Sequence, residues 1–438
     1  MMGALFCLGL LLYAPVIFRR NAAGNPVLAK LLWMVYLGLG AAATVIAIAG
    51  VLRPVFQPNY PAAFFLVLCI LIGISGFLGF RDRDVGNVVT SIRGQSLIEL
   101  VLIGTQSYAT LFFLPFTISS LVGDANENRL DLANKMELLG SYGIFNTVAG
   151  AASQLFGASL VLACVRLSQP EGRGRNVLRA GLLLFGSLSY VVYILAYVGR
   201  DGVVYWLMTA LAVFLVFRSH MPVQLRRQIV IVGTAMGVLM LLPFIAITVA
   251  RFVDSEHGSA WSILDYFGSQ ISNFGDYSTL DRPLTFGIMN FPMFVDATCS
   301  VTGIAGCENW EDLKAFIFDQ YLTQGKEPWL FGTYVSDFVG DFGYLGTLVL
   351  LSAFALLCQL ACRARKGRRP MTLVRLLLVM FFFLIPYWGV FYFRFSIANG
   401  SIVVNLAFIS FVWLLQKFGS RPPVRSDRPA VSIRSGGK

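Results

Sequence analysis

Apolar residues fall along this chain in long blocks separated by short polar stretches. Eleven such blocks occur, at about 2–18, 31–52, 61–80, 97–121, 143–165, 178–198, 202–217, 228–250, 343–361, 373–396 and 400–416. Each is long enough to cross a hydrocarbon layer about 30 Å thick as a helix, the two shortest (202–217 and 400–416) with help from flanking residues. The pattern predicts an all-α polytopic integral membrane protein with about eleven transmembrane helices. It divides the chain into spans one to eight (1–250), a large loop (251–342), spans nine to eleven (343–416) and a basic tail (417–438).

Composition sharpens this picture by exclusion. Of 438 residues, 57% are apolar or aromatic and only 13% are charged, with a mean hydropathy of +0.71, whereas a soluble globular domain is about one quarter charged. A soluble enzyme of several ordinary domains and a disordered chain are both excluded. The formal charge of +11 matters through its distribution: 25 of the 34 Lys and Arg residues fall on one side of the alternating loops and nine on the other. Basic residues stay cytoplasmic, so the N-terminus is expected outside and the C-terminus in the cytoplasm. The first block lacks a basic leader and a small-residue cleavage site and is followed by Arg19 and Arg20, so it reads as an anchor.

The loop 251–342 holds 13 of the 23 acidic residues against four basic ones (Arg251, Arg282, Lys314, Lys326). A loop this long and acidic, on the outer side, is a small external region of the kind that carries function. Within it, Trp261, Leu264, Phe267, Ile271 and Phe274 recur at helical spacing, as do Trp310, Leu313, Phe316, Ile317 and Tyr321, predicting two amphipathic helices. Pro283 to Val295 is apolar but too short to span, and is expected to dip into the bilayer or pack beneath the external region. Five cysteines lie in or beside the spans, while Cys299 and Cys307 lie in the loop, so a disulfide between these two is expected in an oxidising compartment.

Motifs of soluble chemistry are absent. There is no Walker loop, dinucleotide fingerprint or zinc-type Cys/His spacing, and only two histidines, His220 and His257; no metal or cofactor is expected. Glu99 is the one acidic residue well inside a span, near its cytoplasmic end, where a local hydrogen bond accounts for it. Paired broken helices and intramembrane carboxylates, the marks of a coupled transporter, are not evident.

What remains is a set of arginines at the outer boundary. Arg200 sits in the short turn Val198-Gly199-Arg200-Asp201-Gly202, Arg251 begins the large loop, Arg282 lies within it, and Arg394 follows Tyr387, Trp388, Phe391, Tyr392 and Phe393. Planar, permanently charged guanidinium groups suit a diphosphate, which they grip bidentately and neutralise as a leaving group. An interfacial arginine also serves simply as an anchor.

The turn Gly199-Arg200-Asp201-Gly202, the segments Tyr266-Phe267-Gly268 and Phe274-Gly275-Asp276-Tyr277, and the closing run from Gly332-Thr333-Tyr334 through Asp337-Phe338-Val339-Gly340-Asp341-Phe342-Gly343 to Gly346 together resemble the bacterial oligosaccharide repeat-unit polymerases, the Wzy-type O-antigen and capsule polymerases. Some members carry an arginine followed by ten residues and then glycine; the corresponding positions after Arg200, Arg251 and Arg282 are Leu211, Ser262 and Met293. The resemblance implies a GT-C-like helical fold in the bacterial inner membrane and a metal-independent, inverting glycosyl transfer at its outer face. The substrate implied is an undecaprenyl-diphosphate-linked oligosaccharide, with membrane lipids and a polysaccharide chain-length regulator as further partners and no nucleic acid.

On that reading Arg200, Arg251, Arg282 and Arg394 bind diphosphate. The external region meets sugar through Asp276 and Asp337, with Trp261, Tyr266, Tyr277, Trp310, Tyr321 and Tyr334 available to stack. The base that accepts the attacking hydroxyl's proton is His257, Asp254 or Glu256 near one exit of the loop, or Asp341 at the other; Asp337 and Asp341 are alternatively capping and positioning groups. Three other functions fit less well: an O-antigen ligase acting on lipid A core, a lipid-linked oligosaccharide flippase or other transporter, and a membrane scaffold binding through 362–375 and 417–438.

Overall fold

The computed structural model describes residues 1–19, 24–50, 59–86, 88, 92, 94–122, 132–169, 173–197, 199, 201–251, 259–277, 283–302, 310–325, 332–362, 371–396 and 399–418. Every regular element among them is helical. In chain order these are α1 (Met2–Phe18), α2 (Val27–Ala49), α3 (Tyr60–Ser75), α4 (Gln95–Val122), α5 (Leu132–Ser141), α6 (Ile144–Ser153), α7 (Phe156–Ser168), α8 (Arg173–Ser187) and α9 (Ser189–Ala196). They continue with α10 (Asp201–Phe217), α11 (Val223–Arg251), α12 (Ser259–Tyr277), α13 (Pro292–Thr302), α14 (Trp310–Thr323), α15 (Thr333–Cys362), α16 (Leu373–Trp388) and α17 (Asn399–Phe418).

Each expected apolar block contains helix, and among the described residues six helices are long and apolar enough to cross a membrane, seven when the bent pair α6 and α7 counts as one. The helices α1, α3 and α16 are apolar but shorter. In the six long helices fewer than half of the most apolar positions are buried inside the bundle, and Leu12, Ile48, Phe64, Leu111 and Leu345 are exposed. Water would not tolerate so much outward apolar surface, whereas a lipid solvent does. These are the features of a multi-pass helical membrane protein.

Block boundaries depart from the sequence reading where backbone chemistry intervenes. The fifth span is broken at Gln154–Leu155 and bent by 43°, whereas the sixth, with a turn residue at Leu188, runs as one apolar helix over Gly174–Ala196; the sequence showed no paired pattern of broken helices, and one bent span among those described makes no pair. The tenth block ends at Trp388, just past Pro386, so 389–396 forms a turn instead of continuing the span. The helix α15 starts ten residues before the expected span and breaks at Gly343, whose φ of 67° and ψ of 179° only glycine adopts without strain. That break separates the outer piece Thr333–Phe342 from the span itself. The short helix α5 was not foreseen.

Loop contacts sort as the charge count does. Among the loops expected on the basic side, the Asn25 N–H donates to Asp82 Oδ1 at 3.0 Å, the His220 Nε2 lies 2.9 Å from the Asp82 carbonyl, and Arg375 donates to the Ala361 carbonyl at 2.7 Å. Glu99 does more than make a local hydrogen bond: it accepts from Arg166 Nε at 2.6 Å and Nη2 at 2.9 Å, and Arg179 lies 3.4 Å away. At the opposite end, the Asn59 amide donates to the Gly275 carbonyl at 3.3 Å.

The two amphipathic helices of the loop are present as α12 and α14. The apolar face of α12, through Ile271 and Phe274, is buried against α1, α2 and α3. Gly268 makes this possible: a Cβ there would lie 2.4 Å from Ile46 Cδ1 and 2.8 Å from the backbone of Ala42 and Ala43, so only a bare backbone approaches α2 this closely.

Candidate functional site

The outer piece of α15, the turn after α16, the start of α10 and the turn 285–291 converge at one end of the bundle. The α15 N-terminus would leave donors unpaired, but the N–H groups of Thr333 and Tyr334 donate to the carbonyls of Phe391 and Gly389, each at 2.8 Å. The Asp337 carboxylate accepts the Phe393 N–H. These bonds fix the turn that carries Arg394.

Arg394 is enclosed. Its Nη1 donates to the Tyr392 hydroxyl at 2.9 Å and lies 3.5 Å from Asp201 Oδ2, while the Tyr392 hydroxyl donates to that same carboxylate oxygen at 3.2 Å. The guanidinium lies 5.6 Å from the Tyr205 ring centroid, with Tyr190 beside it. Behind it Trp388 stacks on Phe156 and Phe395 and donates to Thr209 at 3.2 Å. The Arg394 side chain is 13% exposed and that of Asp201 37%. The turn lies beyond the end of α16; burial opposes the charge of Arg394, but the surrounding tyrosines, Tyr190 and Tyr392 first, and then Asp201 outweigh it and hold the guanidinium well above its ordinary value.

Next to this box is a second polar centre. Asp341 is fully buried, and both its oxygens are occupied: Oδ1 accepts the Thr285 hydroxyl and the Met289 N–H, and Oδ2 accepts the Asn290 N–H at 2.9 Å and the Asn290 amide at 2.6 Å. Asn290 also donates to the Asp337 carbonyl at 2.8 Å. Asn399, at the start of α17, donates to the Asn290 carbonyl at 2.9 Å and accepts from the Met293 N–H at 3.2 Å. With four donors on its two oxygens, Asp341 fastens the turn 285–291 to α15, a positioning role rather than a helix cap. The segment Pro283–Val295 accordingly packs against α15.

Backbone strain gathers here. Thr333 (φ 72°) and Phe286 (φ 47°) are the non-glycine residues with positive φ among those described, a costly conformation that clusters at functional sites. Phe286 borders an open recess of about 700 Å³ lined by Leu284, Ile288, Asp312, Leu313 and Phe316.

The other sequence candidates are placed as follows. Arg200, Arg282, Asp254, Glu256, His257 and Cys307 lie outside the described residues, and nothing is described of the side chains of Arg251, the last residue of α11, Tyr266 or Trp310. Cys299 is disulfide-bonded. Trp261 is partly exposed on α12. Asp276 and Tyr277 are buried, Tyr277 and Tyr321 packing edge to face at 5.0 Å, and Tyr334 is fully enclosed beside Gly389. Tyr277, Tyr321 and Tyr334 are thus engaged in packing. The α12 residue Phe267 reaches the Arg394 turn through Phe391, 5.5 Å between ring centres.

The structure thus unites Arg394, Asp337 and Asp341 with Asp201, the residue after Arg200. Tyr190, Tyr205, Asn290 and Asn399 were missed; the two asparagines, polar residues at the outer ends of apolar stretches, were the available signal. No family model, curated protein or solved structure matches the chain.

Proposed function

We propose that this protein polymerises polyprenyl-diphosphate-linked oligosaccharide repeat units at the outer face of the bacterial inner membrane. In this reading the chain crosses eleven times in a GT-C-like arrangement, with its N-terminus outside and its C-terminus in the cytoplasm. The observation that carries the proposal is a buried arginine at the end of the bundle expected outside, held in a tyrosine box and tied through Asp337, Asn290 and Asn399 to the close of the large external loop.

The chemistry follows from that placement. A hydroxyl of the incoming repeat unit attacks the anomeric carbon of the growing glycan, and the bond from that carbon to the diphosphate oxygen breaks with inversion. The departing diphosphate takes the electron pair, and Arg394, with Arg200 one residue from its partner Asp201, stabilises the charge. The hydroxyl proton passes to His257, Asp254 or Glu256. Asp341 and Asp337 position the turn that carries Arg394. The donor's activation resides in its own diphosphate, in keeping with a sequence that has no nucleotide-binding motif.

The test is a gel of surface polysaccharide from a strain lacking this gene, complemented by wild type, Arg394→Ala or Arg200→Ala. Loss of the long-chain ladder with a single repeat unit still on its acceptor, restored by wild type and not by the variants, is the expected outcome. Accumulation of lipid-linked polymer with a bare acceptor would identify a ligase instead, and an unchanged ladder would end both enzyme readings.

A further inference from the structure

We infer that Asp201 is the resident counter-ion of Arg394 and holds the place a phosphate takes, so that anion binding at this site is an exchange and not a simple addition. The inference rests on the reading of Arg394 as a diphosphate-binding residue and adds what occupies that residue beforehand. Three observations carry it. Arg394 is mostly enclosed, by Tyr190, Tyr205 and Tyr392, and a buried guanidinium with no counter-charge is strongly destabilising. Among the described residues the one carboxylate paired with it is Asp201. That pairing is loose: 3.5 Å separates Nη1 from Oδ2, against 2.9 Å from the same nitrogen to the Tyr392 hydroxyl, and charge-assisted hydrogen bonds close to about 2.7–2.9 Å.

The two partners also differ in exposure, which sets the direction of exchange. Asp201 is more than a third exposed and Arg394 is not, so the carboxylate swings into water at little cost while the arginine stays. No hydrogen bond to Asp201 Oδ1 is present among the described residues, and its Oδ2 is held by the Tyr392 hydroxyl alone besides Arg394. A diphosphate brings more negative charge and two oxygens spaced for the guanidinium fork. It therefore displaces the carboxylate, whereas a neutral sugar or a weak monoanion does not. The pair acts as a filter that keeps Arg394 neutralised until a doubly charged phosphate ester arrives.

Titration of the purified full-length protein in lipid nanodiscs with inorganic pyrophosphate tests this. Asp201→Asn removes the competing charge but keeps a hydrogen-bonding group for Tyr392, and binding is expected to tighten about fivefold or more. Asp201→Ser, which removes the charge in a different way, is expected to move in the same direction, so misfolding of one variant does not remove the test. In both backgrounds Arg394→Lys is expected to abolish the gain. Unchanged or weaker binding in the Asp201 variants, tightening that survives Arg394→Lys, or no Arg394-dependent binding at all would overturn the inference. A protein that shows the exchange but fails to elongate repeat units would end the polymerase reading alone; one that elongates them with no tightening on loss of Asp201 would end the exchange alone.

Discussion

Individual side chains in this protein are informative chiefly through what they are bonded to. Glu99 shows this at the basic end, where one carboxylate lies between Arg166 and Arg179 with 2% of its side chain exposed. Glu99→Ala leaves the Arg166 guanidinium buried without its counter-charge, and a loss of about 3–5 kcal/mol is expected; a thermal unfolding midpoint in detergent equal to wild type would contradict the bidentate pair. Asp341 makes the opposite kind of prediction. As a fastener with four donors on its oxygens, Asp341→Asn should lower both stability and chain elongation by forcing a donor against a donor, about 1–3 kcal/mol for each unsatisfied group, while the residual activity keeps the wild-type pH profile. A shifted profile would return Asp341 to the role of proton acceptor.

At the scale of elements, the helices were largely legible and their ends were not. Block length and apolarity depend only on local composition, so the apolar helices are readable from the blocks, and the two amphipathic helices of the loop from residues such as Trp261, Phe267, Ile271 and Phe274. Ends depend on single backbone events: Gly343 breaks α15, Pro386 precedes the end of α16, and Leu188 separates α8 from α9. The site was half legible for a similar reason. An arginine after a run of aromatics stands out, but Tyr392 meets Asp201 across 191 positions and Asn399 meets Asn290 across 109, and no spacing rule links residues so far apart. The fit of α12 is testable on its own. Gly268→Leu puts a side chain where the α2 backbone and Ile46 already stand, a case of overpacking that costs about 1–3 kcal/mol. Hydrogen exchange across 259–277 is expected to rise while exchange in α8 stays unchanged; equal protection in wild type and variant would show that α12 does not rest on α2.

For the whole molecule, the account joins one orientation to one chemistry. The contacts at Asp82, His220 and Glu99 belong to one end, and those at Asp201, Asp337 and Arg394 to the other. Single cysteines placed at Arg83 and at Asp312 in a chain freed of its own cysteines should therefore label differently in intact spheroplasts. A membrane-impermeant maleimide is expected to reach position 312 and to reach position 83 only after lysis; labelling of both before lysis would break the topology. The central claim is chain growth on a lipid diphosphate, and reconstitution tests it most directly: the purified full-length protein in proteoliposomes, supplied with undecaprenyl-diphosphate-linked repeat units from the source strain and no nucleotide sugar. The account predicts glycans of increasing repeat number on the lipid, one undecaprenyl diphosphate released per repeat added, and loss of both with Arg394→Ala. Repeat units recovered unextended from liposomes containing folded wild-type protein would contradict it.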